Sequence, residues 1–214
     1  MLIDNSIIFD FEGFAPSFGQ AGIPKPHFVG VYDLSKQGEA KYCWYAFQPE
    51  WKPAVNGSRS PAELTVLAEC FQHLLAQVKK NGGMLIHWSQ HEHAALTEHL
   101  EPGLLRALEP YLLNARKPAK KYLRKNGLVD SVVGLTLADF YRLICPNQSP
   151  MFVFPRGPAE ACRIIDRACA RTQRWRNFSQ QEQVLTHDLI TYNKNDCLAT
   201  ARIVNRVFNS MAMD

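Results

Sequence analysis

With 214 residues, 46% of them apolar and 21% charged, the chain has the length and balance of one sizeable soluble domain with a proper core. Those proportions exclude a disordered or low-complexity chain. The net charge of +4 and a pI near 8.7 suit a polyanionic partner, although charge governs association and not fold.

The first element is Ile7-Ile8-Phe9-Asp10-Phe11-Glu12-Gly13-Phe14, a strand-like run in which apolar residues crowd two carboxylates. A Gly- and Pro-rich loop over 14–26 follows. The stretches 27–32 and 41–47 are rich in β-branched and aromatic residues and flank a turn-like 33–39. Three strands on short polar links predict an antiparallel meander that begins a larger sheet. Ser60-Pro61-Ala62-Glu63 has the pattern of a helix start, with Ser as N-cap, Pro in the first turn and Glu closing a capping box. Leu64, Leu67, Phe71, Leu74, Leu75 and Val78 then recur at helical spacing, and Gly82-Gly83 end the helix after Lys79 and Lys80.

The apolar run 84–88 reads as a short buried strand. Helices are predicted over 90–100 and 104–113, a strand or the beginning of a helix over 128–133, and a helix over 136–144. Pro146, Pro150 and Pro155 interrupt the stretch that follows. Helices resume over 158–171 and 186–211, the last carrying Leu189, Ile190, Cys197, Ile203, Val204, Val207 and Phe208 as its apolar positions. The expected fold is a single α/β domain over 1–214, a mixed sheet with an antiparallel meander, then parallel strands, flanked by helices.

Cys43, Cys70, Cys145, Cys162, Cys169 and Cys197 form no C-x-x-C pair, which speaks against a structural zinc. No apolar run approaches the roughly 20 residues of a membrane span, and Met-Leu-Ile-Asp-Asn-Ser has no signal-peptide pattern. The expectation is a cytoplasmic protein with reduced thiols and no membrane partner.

Side chains of a strand repeat every second residue, so Asp10 and Glu12 share one face. Such a pair either lines the wet face of an edge strand or faces a cation, most simply a divalent metal bound through hard oxygen ligands. Glu92 falls in the first turn of the 90–100 helix, directly after a strand. There it is either a carboxylate favoured by the helix dipole or a ligand at the C-terminal end of a strand, where α/β sheets place their sites. Tyr192 and Asp196, four apart on the last helix, share a face either as a surface pair or as part of the same site. Asp130 is open between a carboxylate behind the site and a strand-end cap.

In order, D-x-E on the first strand, an acidic residue after a middle strand and Y-x-x-x-D on a late helix resemble the DEDD (DnaQ-like) 3′–5′ exonucleases of the ribonuclease-H-like superfamily, in their tyrosine-bearing branch. More narrowly, His87-Trp88-Ser89 with Glu92, Val129-Asp130, and Tyr192-Asn193 with Asp196-Cys197 resemble the ribonuclease-H-like domain of predicted bacterial RecB-family nucleases. The resemblance covers about residues 6–208. It departs from the superfamily in placing Glu92 where an aspartate is usual, and it has no counterpart for the Pro- and Arg-rich stretch 145–176.

The resemblance implies a ribonuclease-H-like fold and a catalytic set of Asp10, Glu12, Glu92, Tyr192 and Asp196. The four carboxylates would bind two Mg²⁺ or Mn²⁺ ions, with Asp10 bridging. Tyr192 would orient the attacking water, since a phenol of pKa near 10 is a poor base. The implied activity is metal-dependent 3′–5′ exonucleolytic hydrolysis of DNA or RNA. An endonuclease using the same metals, and a non-catalytic nucleic-acid- or partner-binding subunit of the same fold, are the alternatives.

Lys120, Lys121, Arg124 and Lys125 belong to the densest basic run, 116–125, with Tyr122 available for stacking. Arg163, Arg167 and Arg171 recur every four residues and make one basic helix face. Each group either tracks the phosphates of a single-stranded 3′ end or simply faces water. The second could equally dock an acidic protein. Separately, the resemblance implies that a lone domain of this kind acts through another nucleic-acid-processing protein.

Overall fold

Strand β1 (Ile7–Glu12) runs inside a six-stranded sheet of order β4-β3-β2-β1-β5-β6. The computed structural model describes residues 3–14, 22–36, 41–129, 133–149, 154 and 157–211. On one side of β1, strands β2 (Phe28–Asp33) and β3 (Tyr42–Ala46) form the expected antiparallel meander, and β4 (Ala62–Leu64) adds parallel to β3. On the other side β5 (Leu85–His87) runs parallel to β1, and β6 (Leu112–Asn114) parallel to β5. The C-terminal ends of β1, β5 and β6 therefore share one edge of the sheet.

Alternation along β1 divides the core. Ile7, Phe9 and Phe11 join a cluster with Phe71, Leu74 and Leu96, carried on α2 (Leu67–Asn81) and α3 (Gln90–His99), with α4 (Pro102–Leu108) beyond. Ile8 points the other way, into a cluster with Phe28, Trp44, Phe140, Ile165 and Ile203. That face carries α1 (Lys52–Asn56), α5 (Arg116–Lys125), α6 (Leu137–Ile144), α7 (Pro158–Arg171) and α8 (Gln180–Met211). Asp10 and Glu12 have the same parity as Ile8, so they meet α8. The result is three layers, α/β/α, each large side chain buried in them contributing about 1.5–3 kcal/mol. No helix among the described residues is long and apolar enough to cross a membrane.

Several elements differ from the sequence expectation, each for a local reason. Ser60-Pro61-Ala62-Glu63 does not start a helix; Ala62–Leu64 pair with Trp44–Ala46, and the Pro61 carbonyl accepts from Trp44 N at 3.0 Å. The Ser58 hydroxyl accepts from Trp44 Nε1 and Ser60 N, tying this stretch to β3, and the sheet ladder wins over the capping box. The helix begins instead at Leu67 and ends, as expected, on Gly82, whose φ of 69° is the left-handed cap. Leu64 is thus exposed on the edge strand rather than part of the α2 stripe.

The predicted helix over 104–113 stops at Leu108 because Pro110 cannot continue the hydrogen-bond ladder, and 112–114 become β6. The basic run 116–125 is a helix, with Ala115, Ala119 and Leu123 buried at intervals of four. Helix α8 starts at 180 rather than 186, because Ser179 and Glu182 cap it reciprocally: Ser179 N donates to Glu182 Oε2 at 2.7 Å and Glu182 N to Ser179 Oγ at 3.3 Å. Residues 130–132, Asp130 among them, lie outside the described residues, as do Pro150 and Pro155.

The edge position of Leu64 separates the two assignments experimentally. Leu64→Ser should change unfolding free energy by less than about 0.5 kcal/mol, whereas Phe71→Ala, at the centre of the α2 stripe, should cost about 3–5 kcal/mol in urea denaturation.

Candidate metal centre

Helix α8 crosses β1 and β2 and brings one stripe of its residues onto the acidic end of β1. Cys197, Ile203, Val204 and Val207 bury themselves as the apolar positions require, and so does Asn193, the one amide in the stripe. It can enter because Gly30, paired directly opposite Asp10 in the β1–β2 ladder, has no side chain. A Cβ at Gly30 would stand 1.6 Å from Asn193 Oδ1. With the helix seated in that notch, Asp196 reaches the two strand carboxylates. Ligand oxygens of Asp10, Glu12 and Asp196 all lie within 4.8 Å of one another.

Three carboxylates at this range repel one another and resist desolvation. Burial, then the charges of Glu12, Asp196 and Glu92, push Asp10 well above the usual carboxylate range. Burial and Asp196 do the same to Glu12, against a hydrogen bond from Asn193. Asp196 is pushed up to about 7 by burial, with Tyr192 opposing and Glu92 adding to the rise. Its Oδ1 is buried without any hydrogen-bond partner. An orphaned carboxylate oxygen facing two more carboxylates is the donor set of a hard divalent cation, which would replace the missing protons and partners. The three residues fit such an ion.

Glu92 stands outside that group of three. It closes the α3 cap: its Oε2 accepts from Ser89 N and Ser89 Oγ, both at 2.8 Å, while His91 N donates to Ser89 Oγ. The helix-start reading of this residue is therefore correct, and its charge nonetheless acts on the other acids. Burial alone would raise Glu92, but the neighbouring His87 and the hydrogen bonds from Ser89 hold it below the ordinary value. His87, named in the sequence beside Trp88 and Ser89 but given no role there, places its Nδ1 3.7 Å from Glu92 Oε2.

Tyr192 sits beside Asp196, half-buried, its ring centroid 5.6 Å from that of Phe154. Burial, then Asp196 and Glu12, raise its phenol above the ordinary value, so it keeps its proton and is a donor rather than a base. A cavity of about 300 Å³ opens beside Glu12, lined by Phe11, Gly13, Phe14, His91 and Pro158. A larger hollow of about 620 Å³ lies between α7 and the first turns of α8, lined by Phe154, Ile164, Leu185 and Asp188.

The basic residues are less concentrated. Lys121, Arg124 and Lys125 are exposed on α5 and Lys120 is half-buried there. On α7, Arg163 lies over the ring of Phe14 at 5.5 Å, next to the end of β1. Arg167 is exposed, but Arg171 is gripped by Glu182 through two bonds of 2.9 and 2.7 Å. That pair removes one of the three charges from the supposed basic face.

Sequence reasoning passed over Tyr42, and it named Asn193 beside Tyr192 without giving it a role. Asn193 had a signal, a polar residue inside the apolar stripe of the last helix; so did Gly30, a glycine inside a strand where another chain segment approaches. Tyr42 had none beyond its place in β3. The chain matches no family model, no curated protein and no solved structure.

Raised carboxyl pKa values have a definite sign in stability. From about pH 4 to 7 these three groups bind more protons in the folded chain than in the unfolded one, so without metal they take stability away as pH rises. The melting temperature should drop between about pH 5 and pH 8 without metal, and Mn²⁺ should recover the loss. Asp196→Asn should raise the metal-free melting temperature at the upper pH and abolish most of the gain from Mn²⁺.

Proposed function

We propose that the protein is a metal-dependent 3′–5′ exonuclease acting on single-stranded DNA or RNA, with a ribonuclease-H-like fold and a tyrosine-type DEDD site. The observation that carries this reading is the convergence of Asp10, Glu12 and Asp196 within 4.8 Å, with Tyr192 one helical turn from Asp196. The mixed sheet, with an antiparallel meander followed by parallel strands and helices on both faces, is the architecture that the resemblance implies.

Asp10, Glu12 and Asp196 would hold Mg²⁺ or Mn²⁺, and Glu92 adds the negative charge that favours a second ion. Bound there, divalent metal supplies a water of lowered pKa and neutralises charge on the phosphodiester. The chain itself positions the reactants. Tyr192, protonated throughout the physiological range, donates a hydrogen bond that orients the attacking water and takes no proton from it. The 300 Å³ cavity beside Glu12, walled by Phe11 and Phe14, is of a size for one terminal nucleotide. Arg163 above Phe14 supplies a cation at its mouth for the strand's phosphates. Lys121, Arg124 and Lys125 on α5 extend basic surface for the rest of the strand.

The test uses 3′-labelled and 5′-labelled single strands of DNA and RNA with Mn²⁺, Mg²⁺ or EDTA. Metal-dependent shortening from the 3′ end is expected, reduced about 100-fold or more in Asp10→Ala and Asp196→Ala. Tyr192→Phe should lower kcat about 10- to 100-fold with KM little changed. Internal fragments would make the protein an endonuclease. Binding without cleavage under every condition would make it a non-catalytic subunit.

A further inference from the structure

We infer that Asn193 is a positioning residue, oriented by Tyr42, that sets the metal affinity of the acidic cluster without touching the metal or the substrate. The amide is fully buried and every polar atom of it is spoken for. Its Nδ2 donates to Asp10 Oδ2 at 2.9 Å and to the Asp10 carbonyl at 3.2 Å, and reaches Glu12 Oε1 at 3.4 Å. Its Oδ1 accepts from the Tyr42 hydroxyl at 3.0 Å. One amide therefore bridges two of the three carboxylates of the cluster, and a phenol on a different strand holds its oxygen.

The direction matters chemically. An amide can rotate by half a turn at little steric cost, and the reversed form would aim Oδ1 at two carboxylates. Tyr42 opposes that form as well, because reversal would turn its hydroxyl hydrogen away from the amide oxygen. That hydrogen would be left with only the Ile190 carbonyl, at 3.4 Å. Gly30 completes the device: it leaves the notch in which Oδ1 sits and so fixes the depth of the amide as well as its direction. Neutral donors suit this place. A lysine or arginine would neutralise the acids and compete with a metal, whereas an amide steadies two carboxylates and leaves their charge available to a cation.

This role rests on the reading of the cluster as a metal centre, and the experiment separates the two. Mn²⁺ is titrated calorimetrically, in the absence of nucleic acid, into the wild-type protein, Tyr42→Phe, Asn193→Ala and, as a cluster control, Asp196→Asn. Melting curves in EDTA run alongside. Tyr42→Phe keeps the ring and its packing, so it reports even if Asn193→Ala fails to fold. Wild type should bind Mn²⁺, Asp196→Asn should not, and both relay variants should bind roughly 10- to 100-fold more weakly, the range found when partners behind metal ligands are removed. If Tyr42→Phe, and Asn193→Ala where folded, bind Mn²⁺ as wild type does, Asn193 only fastens α8 to β1 and the inference falls while the metal centre stands. If wild type binds no Mn²⁺, the metal centre falls and the relay with it.

Discussion

The mutual repulsion of Asp10, Glu12 and Asp196 has to be overcome by whatever holds α8 against β1. Most of that work is apolar: Ile190, Cys197, Ile203, Val204 and Val207 on the helix are buried on the same side of the sheet as Ile8, Phe28 and Trp44. Buried side chains of this size contribute about 1.5–3 kcal/mol each, enough together to hold like charges close that would otherwise separate. Site and core are thus coupled. The carboxylates stay together because their surroundings are rigid, and the rigidity comes from residues with no chemistry of their own.

Within the cluster the carboxyl groups are not equivalent. Burial and repulsion raise Asp10, Glu12 and Asp196, while Glu92, held by Ser89 and His87, is lowered. Pulling carboxylates apart in this way divides their labour. One is favoured as an anion, and in the other three the charge is costly until a cation is offered. The cap of α3 therefore has a second consequence, since it secures a negative charge next to the cluster while satisfying a helix terminus.

Much of this was legible in the sequence because it depends on period. The two-residue repeat put Asp10 and Glu12 on one face, and the four-residue repeat put Tyr192 and Asp196 on another. The meander, α2 from Leu67 onward and the helices over 137–144 and 158–171 follow from pattern and caps in the same way. What was not legible depends on partners distant in the chain. Ala62–Leu64 became a strand because β3 was there to pair with, and 112–114 became a strand because β5 was. Glu182 gave α8 six more residues and took Arg171 out of the basic face, a pairing that no local window contains. Tyr42 lies 151 positions from the amide it orients. Asp130 falls outside the described residues, so its two readings stand as the sequence left them.

The separation in sequence between β1 and α8 also sets a schedule. The contact of Asn193 with Asp10 spans 183 positions. At about 5–20 residues per second of synthesis, the strand carboxylates exist for roughly 10–40 s before their partners on α8 are made. Throughout that interval the meander can pair, yet the newborn chain lacks a third ligand, an aromatic hydroxyl and the amide bridge. Whatever chemistry the finished centre performs waits until the last helix has been made and docks.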